Sequence, residues 1–245
     1  MRKHNEHGNA LFLIFIAVAL FAALSYAVTQ SGRGGGNVDR ETLALNASDL
    51  VQYAALMRST VDRIRLVNGC SDTEISFERE PFDGSAPRDV NPNAPSDLSC
   101  HIFHPNGGGL VFRNPMNLQG ALPIQTPMHI SDIYFEATNR ISGVGSTDST
   151  DDSIDLLLMY SFLTEEACNE INRGLGIGNQ IQDSDIRVLD LGSMGFLGVY
   201  PLFGPSLSIG DEANGNDLIG QTAACVDETA SGSAGFHFYQ VLIER

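Results

Sequence analysis

Four cysteines, Cys70, Cys100, Cys168 and Cys225, are the residues of this chain whose chemistry is most constrained by spacing. None forms a CxxC pair, their number is even, and all follow a long apolar segment. Widely spaced cysteines in an exported domain read as disulfides more readily than as a zinc site. Four cysteines allow three connectivities. Nearness in sequence favours Cys70–Cys100 and Cys168–Cys225, and sequence alone does not decide it.

Other chemistry is sparse. His101 and His104 are three positions apart, so in a strand they point to opposite faces, poor geometry for joint metal ligation. Gly107-Gly108-Gly109 lacks the GK[ST] ending of a phosphate loop and reads as a turn. Two acidic clusters carry enough oxygens for a calcium loop: Asp148, Asp151, Asp152 and Asp155, and then Asp211, Glu212, Asn214, Asn216 and Asp217. Neither has the spacing of an EF-hand, and a solvated polar loop explains both. The chain has no GxSxG elbow and no HExxH motif. Cys168 could act as a nucleophile beside His237 or His104, but a disulfide is the simpler fate of an exported cysteine. No catalytic residue is assigned, and the chain is read as a non-enzyme. The formal net charge is −16, with no cluster of Lys and Arg to displace counterions from phosphates, so nucleic acid is not an expected partner. No cofactor beyond calcium is implied.

The elements that must position these residues begin with a helix over 39–67. Leu43, Ala47, Leu50, Ala54, Met57, Val61 and Ile64 recur at steps of four and three and fall on one stripe. Packing on a sheet of the same domain explains that stripe better than a coiled coil, which would span only about three heptads. Asp39 or Thr42 could cap its start, and Asn68-Gly69 could stop it. From Cys70 the pattern turns β-rich. Strands are expected at Glu74–Phe77, Ile133–Ala137, Ile154–Phe162, Ile186–Leu191, Gly198–Leu202 and Phe236–Ile243. A hairpin is expected between Cys100–His104 and Leu110–Phe112. Thr164–Gly174 reads as a short helix, with Thr164 as cap and Glu165 and Glu166 at the positive end of its dipole. Cys168 on it would staple helix to sheet, and Cys225 would clamp the loop before the last strand.

Upstream, residues 10–28 read ALFLIFIAVALFAALSYAV, without a charge. At about 1.5 Å per residue this run roughly spans a hydrocarbon core about 30 Å thick. Arg2 and Lys3 before it favour a cytoplasmic N-terminus and an exported remainder. Ser25-Tyr26-Ala27 would suit signal peptidase, which would release a soluble chain. A short charged leader, Gly8, and then an uninterrupted apolar helix resembles the leader of type IV pilins and type II secretion pseudopilins. The resemblance implies cleavage between Gly8 and Asn9 with the helix retained. That family places Phe or Met after the cut and Glu four residues on, where this chain has Asn9 and Leu13. The departure points to a minor subunit. Because some pseudopilins bind calcium near the C-terminus, the resemblance favours the 211–217 cluster.

The sequence therefore leads us to expect an α+β chain: a leader at 1–9, a transmembrane helix at 10–28, a Gly-rich hinge at 29–38 and an exported domain at 39–245. That domain would comprise the 39–67 helix and a mostly antiparallel sheet-rich head at 70–245 with one short helix. By resemblance it is a minor pilin or pseudopilin in a bacterial inner membrane, its head periplasmic or extracellular, meeting like subunits through the apolar helix. The alternatives are a membrane-tethered periplasmic binding module and, after it, an exported enzyme.

Overall fold

The computed structural model describes residues 7–31, 35–79, 89–113, 133–145, 154–178, 181–183, 195–200, 207–210, 218–228 and 235–245. The chain divides into two compact units, Met1–Thr42 and Leu43–Arg245. The second, called the head below, holds the sheet.

Helix α1 runs over His7–Ser31 and α2 over Gly35–Asn68. Both extend into the 29–38 stretch expected as a hinge; residues 32–34 of that stretch lie outside the described residues. Neither Asp39 nor Thr42 starts α2, because the helix is already formed at Gly35. Its end falls at Asn68, followed by Gly69 at φ +72°, a conformation that costs glycine least.

In the head the α2 stripe does what its spacing implies. Ala47, Leu50, Ala54, Met57, Val61 and Ile64 are buried, and Leu43 packs against them. They share one apolar cluster with Leu156, Leu158, Tyr160 and Phe238 from a five-stranded sheet. The strands are β1 Ile133–Glu136, β2 Asn139–Ile141, β3 Leu156–Leu163, β4 Gln182–Asp183, β5 Leu207–Ile209, β6 Ala223–Glu228 and β7 Gly235–Ile243. The sheet order is β1-β3-β7-β6-β4, antiparallel except where β4 meets β6. Strands β2 and β5 form a separate parallel pair.

The sheet is buried on both faces, as the near-continuous apolar run of β7 requires. Leu157, Met159, Ala224, Val226, Tyr239 and Val241 form the second cluster with Ile141, Ile209 and Leu218. Alternate residues of β3 and β6 thus enter opposite cores, following the pleat.

Helix α3, Glu165–Leu175, begins at Thr164, whose hydroxyl accepts the Ala167 N–H at 3.2 Å, and ends at Gly176 with φ +75°. Thr164→Ala is expected to cost about 1 kcal/mol in urea unfolding, the usual loss of an N-cap. Asn172 of α3 acts as a surrogate strand: its side-chain amide donates to the Cys225 carbonyl at 2.7 Å and accepts the Cys225 N–H at 2.8 Å.

Several expected strands differ. Glu74–Phe77 forms only a single parallel bridge, Ser76 to His101. The hairpin at 100–112 is absent; the segment is a run of turns, with Gly107 N–H bonded to the His104 carbonyl and Gly108 N–H to the His101 carbonyl. Gly107 and Gly108 sit so close to the backbone of His101 and Ile102 that any Cβ would collide with it. Gly198–Tyr200 is not a strand, and 201–202 and Ile186–Leu191 lie outside the described residues. Cys225 stands in β6 rather than in a loop.

Candidate functional site

Two features are candidates for function: the apolar surface of α1 and the polar groups buried in or lining the head.

On α1, every described side chain from Phe12 to Tyr26 is exposed, including Phe12, Leu13, Ile14, Phe15, Leu20, Phe21 and Leu24. No side of this helix carries a charge between those residues, so it has no polar face to turn to water. Gly8 and Asn9 fall in its first turn. Among the described residues, no helix is long and apolar enough to cross a membrane. The span expected over residues 10–28 therefore gains no support from the described residues.

The cysteines close two bridges, Cys70–Cys100 and Cys168–Cys225, with Cα separations of 5.8 Å and 5.3 Å. The first ties the end of α2 to the loop that carries His101. The second ties α3 to β6 and leaves no thiol on Cys168 for nucleophilic chemistry.

The two histidines at 101 and 104 are used separately. His101 is buried with its Nε2 3.3 Å from Glu78 Oε2, while His104 Nδ1 accepts the Asn106 N–H at 3.1 Å. Of the first acidic cluster only Asp155 is described, and it is not a loop ligand. It is fully buried; Oδ2 accepts the Ile141 N–H at 2.8 Å and Oδ1 the Arg245 N–H at 3.1 Å. Asp148, Asp151 and Asp152 lie outside the described residues, as do Asp211, Glu212, Asn214, Asn216 and Asp217. Among the described residues no three His, Cys, Asp or Glu gather as a metal would need.

Two buried titratable groups in the head have opposed pH dependence. Burial raises the Asp155 carboxyl from 3.8 to about 6, against the lowering effect of its two backbone donors. Burial lowers His237 from 6.5 to about 4. For His237 the unfolded chain binds the extra proton, so its contribution is present above pH 6.5 and is lost as pH falls through about 4. For Asp155 the folded chain binds it, so its contribution is present below pH 3.8 and is lost as pH rises through about 6. Between these limits the two slopes cancel. His237→Phe should lose stability relative to wild type as pH rises from 4 to 6, by about 1.4 kcal/mol per unit, and Asp155→Asn should gain by a similar slope. Urea midpoints across that range check both signs.

A last group was not legible in the sequence. Arg79 and Asp89 form an ion pair with Nη2 3.3 Å from Oδ2, their side chains only 5% and 8% exposed. Arg79 also donates to the Ile133 carbonyl at 3.0 Å, and its guanidinium lies 4.9 Å from the Phe112 ring centroid. Elsewhere in the head an open cleft runs along the end of α2, lined by Asp62, Arg65, Leu66, Cys70, Ser71, Asp72 and Thr73. An ion pair of 2.6 Å joins Arg65 to Asp72 within that lining.

Comparison with protein-family models, with curated proteins and with solved structures finds no match to this chain.

Proposed function

We propose that the chain is a membrane-anchored structural subunit, resembling a minor pilin or pseudopilin, of a type IV filament or a type II secretion-like assembly. The observation that carries the reading is α1. Its apolar side chains are exposed on every side, an arrangement stable only in lipid or among other apolar helices. In the sequence the charge-free run over 10–28 is about as long as a span needs. The leader before Gly8 and an antiparallel head packed on the helix that follows α1 suit the same plan. Assembly would consist of moving α1 from lipid to contact with like helices, with the disulfide-bonded head on the outer side.

Intact mass and N-terminal sequencing of the native protein test this. A mature chain beginning at Asn9 is expected. Lys3 is the one lysine of the sequence, so cleavage after Gly8 leaves the α-amine as the sole primary amine. An amine-reactive label should then add once to the mature chain and twice to the unprocessed one. A chain beginning at Val28 and free of membranes would overturn the reading. An intact N-terminus on a membrane-bound chain would favour the tethered binding module.

A further inference from the structure

The two disulfides of the head differ in what surrounds their sulfurs. Cys168 and Cys225 are 0% exposed, whereas Cys70 is 5% exposed and lines the open cleft at the end of α2. Cys100, its partner, faces inward. The sulfurs of this bridge also have unequal neighbours. Cys70 Sγ lies 3.8 Å from the Ser99 carbonyl oxygen, an acceptor that opposes negative charge on that sulfur. Cys100 Sγ lies 3.9 Å from the Ser99 hydroxyl, a group able to donate to a thiolate there. One residue therefore disfavours a leaving thiolate at Cys70 and favours one at Cys100.

We infer that Cys70–Cys100 is an exchangeable disulfide, opened by an external thiolate that enters the cleft and attacks Cys70 Sγ, while Cys168–Cys225 is inert. In the first step an R–S to Cys70 Sγ bond forms as the Sγ–Sγ bond breaks, and the electron pair passes to Cys100 as a thiolate. In the second, another thiolate attacks the R sulfur of the mixed disulfide and releases Cys70, which takes a proton from water. The protein disulfide is reduced by two electrons and two external thiols are oxidised to their disulfide.

The opened form has reasons to keep its sulfurs close, so the bridge can close again. Asn68 Nδ2 still donates to the Ser99 carbonyl at 2.7 Å, Ser76 N–H to the Cys100 carbonyl at 3.0 Å and Ile102 N–H to the Ser76 carbonyl at 2.9 Å. The Arg65–Asp72 ion pair holds the cleft wall without either sulfur.

The test uses the whole folded protein with glutathione, then rapid alkylation and peptide mapping. The expected product carries glutathione on Cys70 and the alkyl group on Cys100, formed at least about tenfold faster than any modification of Cys168 or Cys225. With dithiothreitol in place of glutathione, both Cys70 and Cys100 should be alkylated while circular dichroism stays native. Ser99→Ala should slow the first step roughly threefold and leave the second bridge untouched. Glutathione found on Cys100, equal rates at the two bridges, or no exchange short of unfolding would each overturn the inference.

Discussion

Arg79→Ala is expected to destabilise the head by about 3–5 kcal/mol, the range for breaking a buried ion pair by removing one partner. The loss arises chiefly from what is left behind. Asp89 would retain a carboxylate in a site 8% exposed, and the Ile133 carbonyl would lose a donor at the start of β1. Asp89 is held at φ +57°, and a Cβ on Gly195 would collide with its carboxyl, so little space exists for it to swing toward water. Pairing Arg79→Met with Asp89→Asn should recover most of the loss, since asparagine tolerates positive φ and neither residue then carries a buried charge. Urea unfolding at pH 7 with both disulfides intact measures each variant. A loss below about 1 kcal/mol for Arg79→Ala would mean the pair behaves as a solvent-exposed one.

The second large effect concerns α1. In the membrane-anchored reading, Leu20→Arg places a charge near the middle of the apolar helix, at about 3 kcal/mol on insertion scales, roughly a hundredfold in partition. The full-length variant should move from the membrane pellet to the carbonate-extracted fraction, or be lost from assemblies. Leu66→Arg, also at an exposed leucine but in the head, is the control and should leave the fractionation unchanged. If Leu20→Arg and Leu66→Arg fractionate alike, α1 is not held in lipid.

Sequence patterns were informative where one element satisfied its own rule. The seven-residue stripe of α2, the cap at Thr164 and the apolar run of β7 each specify an element from within a single window. They failed where a second segment decides the outcome. Strands β2 and β5 are three residues each, too short to show a period, and exist because they pair with each other. Strand β6 begins with two alanines, poor strand formers alone, and is held by β7 on one edge and, on the other, by Asn172 at Cys225 and by β4 at Val226 and Asp227. The glycines at 107 and 108 suggested a hairpin turn, but their lack of a side chain serves close backbone packing instead.

Asp155 shows the same division at the level of a site. By composition it belongs with Asp148, Asp151 and Asp152 as a polar cluster, yet the fold buries it and uses both oxygens on the backbone of β2 and Arg245.

By itself the sequence determined the α+β class, a helix in the N-terminal segment, the buried stripe of α2 and the presence of cysteines fit for disulfides. These follow from local periodicity and composition, which act through neighbours a few residues away. Tertiary structure alone decided that Arg79 meets Asp89, that Asn172 bonds the backbone of β6, and that the carbonyl and hydroxyl of Ser99 lie beside different sulfurs of one bridge. Those contacts arise where separate segments fold against one another, and their energies depend on burial and orientation, quantities that no short window of residues contains.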